Sequence, residues 1–188
     1  MPPERFAHEV QIDPAELGIE AFLETRLVQS FDCGNKALND FLNTEEVKKY
    51  EEEDLGKTYL VFYQGDLVAY FTVSSDKLRV SYLRTVKSFS KFAEMKIYAI
   101  PAVKIGRLAV SKEYQSRGIG RILVKYIAGM ALSIGGKMGV RLLILQAKPE
   151  SIEFYEKCGF YLTREIGHER GKRNRTMYLD LHEIEGVA

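Results

Sequence analysis

The sequence has few residues of the kinds that build metal sites, disulfide frameworks and membrane spans. Its 188 residues include two cysteines, Cys33 and Cys158, three histidines and no tryptophan. The cysteines stand far apart and lack the Cys-x-x-Cys or Cys/His spacing of a zinc site, so we expect two unpaired thiols in a reducing compartment and no metal. No stretch approaches the roughly 18 apolar residues of a membrane span, and residues 1–10 lack the apolar run of a secretory signal. These absences predict a cytoplasmic protein that does not bind membranes.

The chain also lacks an excess of charge of one sign. It has 27 basic and 26 acidic residues, a formal net charge of +1. No general attraction to nucleic acid or membrane follows from such a balance, so any charge-driven binding must be local. With 46% hydrophobic residues, the chain can bury one substantial core but is short for two. We therefore predict one domain over residues 1–188, with a loosely ordered segment at 1–18.

Short β-rich runs alternate with helical patterns, which indicates a mixed α/β domain. The predicted elements before residue 76 are a strand within Ile19–Phe31, a helix around Leu38–Leu42, a helix over Glu45–Asp54 and a hairpin of Thr58–Tyr63 with Leu67–Ser74. From Asp76 to Tyr98 the pattern loses its period and gathers basic residues. This region is either a flap on the substrate side or a basic surface loop.

A strand, a glycine-bearing turn and a helix follow one another in the middle of the chain. The apolar run Ala102–Val110 precedes the turn, and apolar residues at three-and-four spacing over Arg117–Leu132 predict an amphipathic helix. A helix start offers unpaired backbone N–H groups and a positive dipole end, which suit a phosphate. Gly118 and Gly120 lack a Cβ and would let those amides approach it. The alternative is a glycine loop that merely turns the chain.

The turn differs from the common nucleotide-binding loops. It has neither the Lys-Ser/Thr ending of a P-loop nor the GxGxxG order of a dinucleotide fold. The phosphate-bearing ligand is therefore expected to be neither a nucleoside triphosphate nor NAD.

Downstream, Val140–Gln146 is typical of a buried parallel strand, and Ser151–Lys157 of a short helix ended by Gly159.

Gln115, Gly118 and Gly120 match the Q/R-x-x-G-x-G/A signature of the GNAT-type N-acetyltransferases, which this chain resembles. The resemblance implies a mixed α/β domain whose central twisted mixed sheet has six to seven strands, flanked by helices and splayed between the fourth and fifth strands. Acetyl-CoA would be the cofactor. Its pantetheine arm would lie beside Leu108, Ala109 and Val110, where one amide polarises the thioester carbonyl. Its pyrophosphate would lie on the turn of Gln115, Ser116, Arg117, Gly118, Ile119, Gly120 and Arg121.

The stretch Phe154–Phe160 is similar to the family's FYxxxGF element. That resemblance makes Tyr155 the general acid that protonates the departing CoA thiolate. The alternative is a tyrosine that only packs between Phe154 and Phe160. Cys158 could carry the acyl group, but it stands at a helix end with no histidine near it in sequence, so we expect a packing thiol. No residue is marked as the base, and water is one option.

Residues Phe31–Leu42 resemble the FDCGxxxLNxFL opening of the acetyltransferase toxins of toxin-antitoxin pairs. Members of that group acetylate the amino group of aminoacyl-tRNA, so tRNA and an antitoxin become candidate partners. Three functions stay open: acetylation of a small-molecule or protein amine, acetylation of aminoacyl-tRNA, and a module that binds acyl-CoA or a protein without turnover. The basic cluster Glu169–Arg175 either grips RNA or forms a solvated hairpin tip. A homodimer is a further option.

Overall fold

The structure is a computed structural model that describes residues 11–23, 28, 30–83, 89, 92, 94–164 and 173–184. Four helices and seven strands lie in these ranges, which confirms the predicted mixed α/β class. The helices are α1 (Lys36–Asn43), α2 (Glu46–Glu52), α3 (Ile119–Met138) and α4 (Ile152–Lys157). The strands are β1 (Leu17–Ala21), β2 (Lys57–Tyr63), β3 (Asp66–Arg79), β4 (Ala99–Val110), β5 (Leu142–Ala147), β6 (Tyr161–Leu162) and β7 (Arg175–Asp180).

The strands form a single sheet in the order β1-β2-β3-β4-β5-β7-β6. All neighbouring strands are antiparallel except β4 and β5. A parallel pair needs a long crossover, and here α3 supplies it because it lies between β4 and β5 in sequence. The number of strands is the upper value expected from the sequence.

The parallel pair separates at its far end. β5 pairs with β4 only from Ala102 to Ile105, whereas β4 runs on to Val110 paired with β3 alone. The register of β3 and β4 shifts between Thr72 and Val73, which leaves Gly106 as an extra residue in β4. Such a bulge bends and twists a strand locally. The predicted splay of the fourth and fifth strands is therefore present and begins at Gly106.

The main core lies between one face of the sheet and α3. Six residues of α3 are buried there, at helical spacing: Ile119, Leu123, Val124, Ile127, Ala128 and Ala131. Each large apolar side chain buried in this way contributes about 1.5 to 3 kcal/mol. By length and mean hydropathy α3 could also cross a membrane, which was not expected from the sequence. In the structure it is the crossover helix, packed on the sheet.

The opposite face of the sheet carries α1 and α2. Asn35 caps α1 by accepting a hydrogen bond from the Leu38 amide, and Phe41 and Leu42 are buried. Tyr70 of β3 donates its hydroxyl to the Leu38 carbonyl at 2.7 Å. The expected turn into a helix at Asn35 is confirmed, and α1 is fixed to the middle of the sheet.

Four sequence predictions need correction or lie outside the described residues. Residues 11–18, predicted to be loose, form a 3-10 turn and the start of β1, and Ile12 is buried. β1 ends at Ala21, well before Phe31. β3 continues to Arg79 because Asp76–Arg79 pair with Ala99–Ala102, so this part of the predicted loop is strand. Residues 1–10, 84–88 and 169–172, which include most of the basic cluster, lie outside the described residues.

Candidate active site

A groove of about 1470 Å³ lies where β4 ends and α3 and α4 begin. Ten of the eleven residues predicted for the cofactor and for catalysis line it. They are Leu108, Val110, Gln115, Ser116, Arg117, Gly118, Ile119, Gly120, Arg121 and Tyr155. The fold therefore brings two motifs about 35 residues apart in sequence to one groove, as the α3 crossover dictates.

The side chains of β4 alternate about this groove. Leu108 and Val110 line it, whereas Ala109 is buried on the opposite face, in the cluster that contains Phe41 and Tyr70. Successive side chains of a strand point to opposite faces. The Ala109 side chain therefore faces away from the groove, and the predicted contact of this residue with pantetheine is limited to its backbone.

The turn between β4 and α3 needs two left-handed residues. Ser116 has φ of +64° and Gly118 of +85°, and Gly118 is the residue from which α3 starts. The first amides of a helix have no acceptor inside it, and they meet the positive end of the helix dipole. The turn thus directs the N-terminus of a 20-residue helix at the groove.

The two glycines of the turn have different roles. A Cβ on Gly118 would meet no heavy atom within 4 Å, so its side faces open space. A Cβ on Gly120 would lie 3.2 Å from Cζ of Phe154. Gly118 therefore leaves room for a phosphate beside the turn, whereas a side chain at position 120 would press on the Phe154 ring of α4.

The groove is electropositive. Arg117, Arg121 and Lys125 line it, and Glu150 is the one carboxylate among the lining residues that the structure describes. Lys125 was not among the residues predicted from the sequence. The signal was its position four residues after Arg121, which places both side chains on one helix face. Three cations in the first two turns of a helix and just before it suit a ligand with several negative charges.

The side chain of Gln115 is occupied within the protein. Its Nε2 donates to the carbonyls of Val110 and Cys33, at 2.9 Å each. An amide nitrogen has two hydrogens, so both are used. Gln115 lies at the groove as predicted, but its amide nitrogen holds the turn to two other segments of the chain.

Tyr155 is half-buried at the groove, with edge-to-face contacts to Phe154 at 5.0 Å and Phe160 at 5.6 Å between ring centroids. Burial, with a smaller effect of Cys158, raises the pKa of Tyr155 to about 12. The phenol therefore keeps its proton at neutral pH and can only donate it. The ring does pack between Phe154 and Phe160, and these contacts fix it at the groove wall. Its role as a general acid stays a prediction.

Cys158 follows α4, one turn after Tyr155. Burial raises the pKa of its thiol, and the hydrogen bond and positive charge of Arg121 offset only part of that effect. A reactive cysteine needs the opposite, a lowered pKa that populates the thiolate. The geometry thus favours the packing thiol.

Replacing Cys158 with serine is expected to leave turnover within about twofold of the wild type, because a thiol with a raised pKa is not an activated nucleophile. Steady-state acetyl transfer by the two proteins tests this, with CoA affinity measured as a check on folding. A Cys158→Ser protein that binds CoA but shows no turnover would establish an acyl-cysteine route.

A second, smaller cavity of about 400 Å³ lies on the opposite face of the sheet. Its lining includes Asp76, Arg79, Lys104, Gln146 and Thr176, and the Lys104 ammonium lies 3.5 Å from the Asp76 carboxylate. Lys104 and Gln146 flank the last β4–β5 pair, so this cavity reaches the splay from the side away from the groove. These residues were not predicted from the sequence, although the alternation of Lys104 with Val103 and Ile105 was a signal.

The carboxylates near the splay on that face are already paired. Asp76 has Lys104 as its partner, and Glu46 lies 3.8 Å from Arg107. The Arg107 guanidinium in turn stacks 3.6 Å over the ring of Phe41. Neither carboxylate is set apart as a base. Within the described ranges no group of three or more potential metal ligands occurs.

Comparisons with known proteins agree with this geometry. The model of the acetyltransferase (GNAT) domain matches residues 56–162, more than half of the chain. Three similar solved structures are AtaTR bound with acetyl-CoA, AtaT complexed with acetyl-methionyl-tRNAfMet, and a tyrosine-to-phenylalanine mutant of KacT.

These structures cover nearly the whole fold. AtaTR is 25% identical, with a TM-score of 0.71, over 91% of this chain and 97% of that one. AtaT is 24% identical, with a TM-score of 0.72, over 90% and 97%. KacT is 24% identical, with a TM-score of 0.77, over 90% and 98%. With its groove at the splay of β4 and β5 and its family match across β2 to β6, this chain belongs to the GNAT acetyltransferase family and is an acyltransferase.

Proposed function

We propose that this protein transfers the acetyl group of acetyl-CoA directly to a primary amine. The observation that carries the proposal is the groove itself. In it the turn at Gly118, three cations and the protonated Tyr155 share one cavity beside the splayed strands. A family that transfers acetyl groups and a groove that suits an anionic, elongated cofactor point to the same ligand.

The residues of the groove fit acetyl-CoA. The open space beside Gly118 and the first amides of α3 would hold the pyrophosphate, with Arg117, Arg121 and Lys125 adding charge-assisted hydrogen bonds. Leu108 and Val110 would contact the pantetheine arm. The cofactor supplies the acetyl group as a thioester, which an amine can attack. Backbone amides of residues 108–110 would polarise the carbonyl.

Tyr155 would donate its proton to the leaving thiolate. Its raised pKa keeps the proton in place until a base as strong as a desolvated thiolate forms. The second cavity supports direct transfer, because it opens to the splay from the face opposite the groove. Donor and acceptor could then be bound together, one on each side of the sheet. The raised pKa of the Cys158 thiol argues against an acyl-enzyme formed on that residue.

A second candidate acceptor is the amino group of an aminoacyl-tRNA. It is supported by the AtaT structure, which holds acetyl-methionyl-tRNAfMet, and by the AtaT toxin structure that holds acetyl-CoA and the C-terminus of its antitoxin AtaR. It is also supported by the loop of Asp32–Asn35, whose sequence prompted the toxin resemblance. An antitoxin-like protein would be the corresponding partner.

Calorimetric titration of acetyl-CoA into the purified protein tests the cofactor, and a panel of acceptors tests the reaction. The panel contains small primary amines, peptides with free amino groups, and charged and uncharged tRNA. We expect acetyl-CoA binding and the gain of one acetyl group on an amine, detected by mass spectrometry. Acetylation of charged but not uncharged tRNA would select the second candidate. Failure to bind acetyl-CoA would overturn the proposal and leave a GNAT-shaped interaction module.

A further inference from the structure

The loop before α1 is attached to the turn that opens α3. Gln115 reaches from the turn to the Cys33 carbonyl, and it also holds the Val110 carbonyl at the end of β4. The same side chain therefore joins three segments: the loop, the end of β4 and the turn. Residues 33 and 115 are 82 positions apart in sequence, so this contact exists only in the folded chain.

Asp32 is the centre of a second set of contacts in the same place. Its carboxylate accepts hydrogen bonds from Lys112 Nζ, the Gly34 amide and Asn39 Nδ2, each at 2.8 Å. Its carbonyl accepts from the Lys112 amide at 2.9 Å. These contacts hold the pKa of Asp32 down at about 2, so the carboxylate stays ionised at neutral pH. We call Asp32, Cys33, Gly34, Asn39, Lys112 and Gln115 the loop bracket.

The loop bracket holds both ends of the short 3-10 turn that leads from β4 towards Gly118. Lys112 begins the 3-10 turn after β4, and Gln115 ends it. Asn39 of α1 holds the loop itself, because its Oδ1 accepts a hydrogen bond from the Cys33 amide at 2.9 Å. The loop also lies close to its partner: a Cβ on Gly34 would stand 3.0 Å from Cε of Lys112. The position of the turn is thus set by α1, on the other face of the sheet.

The bracket contributes little to overall stability. The Asp32 and Lys112 side chains are each more than half exposed, and exposed ion pairs add little to the stability of a fold. Its contacts instead fix where Gln115 and the residues after it lie. Displacement of a binding group by a fraction of an ångström is enough to reduce affinity or rate.

We propose that Asp32 and Gln115 are positioning residues for the cofactor. They hold the turn where its amides meet the pyrophosphate, and the Gln115 side chain itself does not contact the ligand. This inference rests on the proposed function for the identity of the ligand. Its consequence is that loosening the loop of Asp32–Gly34, distant in sequence from the turn, weakens binding at the turn.

Gln115→Met removes both hydrogen bonds without a change in size or charge. We expect the Kd for CoA to rise about tenfold, because the turn is then free to leave the position in which its amides meet the pyrophosphate. Asp32→Ala is expected to raise the Kd in the same direction. Both substitutions disturb the same set of contacts, so their effects should not add. The double variant should therefore bind CoA about as well as the weaker-binding of the two single variants. Calorimetry with CoA measures all four proteins.

An acetyl donor without a pyrophosphate distinguishes a misplaced turn from general damage to the active site. S-acetylpantetheine has the thioester but no pyrophosphate, so the two variants should use it as well as the wild type does while kcat/KM for acetyl-CoA falls. The matched control is Lys36→Ala, which removes an exposed ion pair with Asp40 on α1 without touching the bracket. It should leave the Kd for CoA unchanged.

Three results would overturn the positioning role of Asp32 and Gln115. They are an unchanged Kd in both variants, a Gln115→Met effect without any Asp32→Ala effect, and an equal loss with S-acetylpantetheine. The second would mean that Gln115 contacts the cofactor directly. A wild-type protein that fails to bind CoA would overturn the proposed function instead, so the two failures are distinguishable. Should Asp32→Ala not fold, Asp32→Asn takes its place, because it keeps one acceptor oxygen.

Discussion

Gly118→Asp is expected to abolish measurable binding of acetyl-CoA. The Cβ of residue 118 would enter open space at the start of α3, where the pyrophosphate is proposed to lie. Like charges about 4 Å apart repel by about 4 kcal/mol at an effective dielectric constant near 20. We therefore expect the Kd to rise by a hundredfold or more, at about 1.4 kcal/mol for each factor of ten. Calorimetry with acetyl-CoA measures the change.

Gly118→Asn is the matched control. Asparagine and aspartate have the same shape, and both tolerate the left-handed conformation that φ of +85° imposes. The two variants therefore share any backbone strain and differ in charge alone. Asparagine should weaken binding far less than aspartate. Equal losses would show that strain at the turn, and not repulsion of a phosphate, controls affinity.

The second large effect is expected from Tyr155→Phe. Loss of one general acid reduces rates by about 10²- to 10⁴-fold, so kcat should fall by at least a hundredfold. The ring contacts with Phe154 and Phe160 survive in the variant, so the Kd for acetyl-CoA should remain close to that of the wild type. Steady-state kinetics and calorimetry together separate the two effects. A variant with normal kcat would reduce Tyr155 to a packing residue.

The pH dependence of the wild type follows from the same side chain. The folded-state pKa of Tyr155, about 12, is above its unfolded value of 10.0. The neutral phenol is therefore intact below pH 10, and both its proton and its share of stability are lost only between about pH 10 and 12. The kcat profile should show no alkaline loss from this group up to pH 10. Tyr161→Phe removes the hydroxyl of an exposed tyrosine of β6. It is the control, and its kcat–pH profile should match that of the wild type.

Local patterns determined much of the site. The apolar run before the turn, the glycine at position 118 and the three-and-four spacing after it predict strand, turn and helix, and all three are present. They do so because helix starts and left-handed turns depend on a few consecutive residues. The family motifs added the pairing of that turn with Tyr155, which α3 and β5 bring to one groove.

The sequence by itself determined the mixed α/β class and the position of the turn, because each depends on neighbours in the chain. Only the tertiary structure decided the rest. The strand character of Asp76–Arg79 depends on its pairing with Ala99–Ala102. The role of Gly120 depends on the ring of Phe154, and that of Gln115 on a carbonyl 82 residues away. Pairing and packing of this kind join residues distant in sequence, so no local pattern records them.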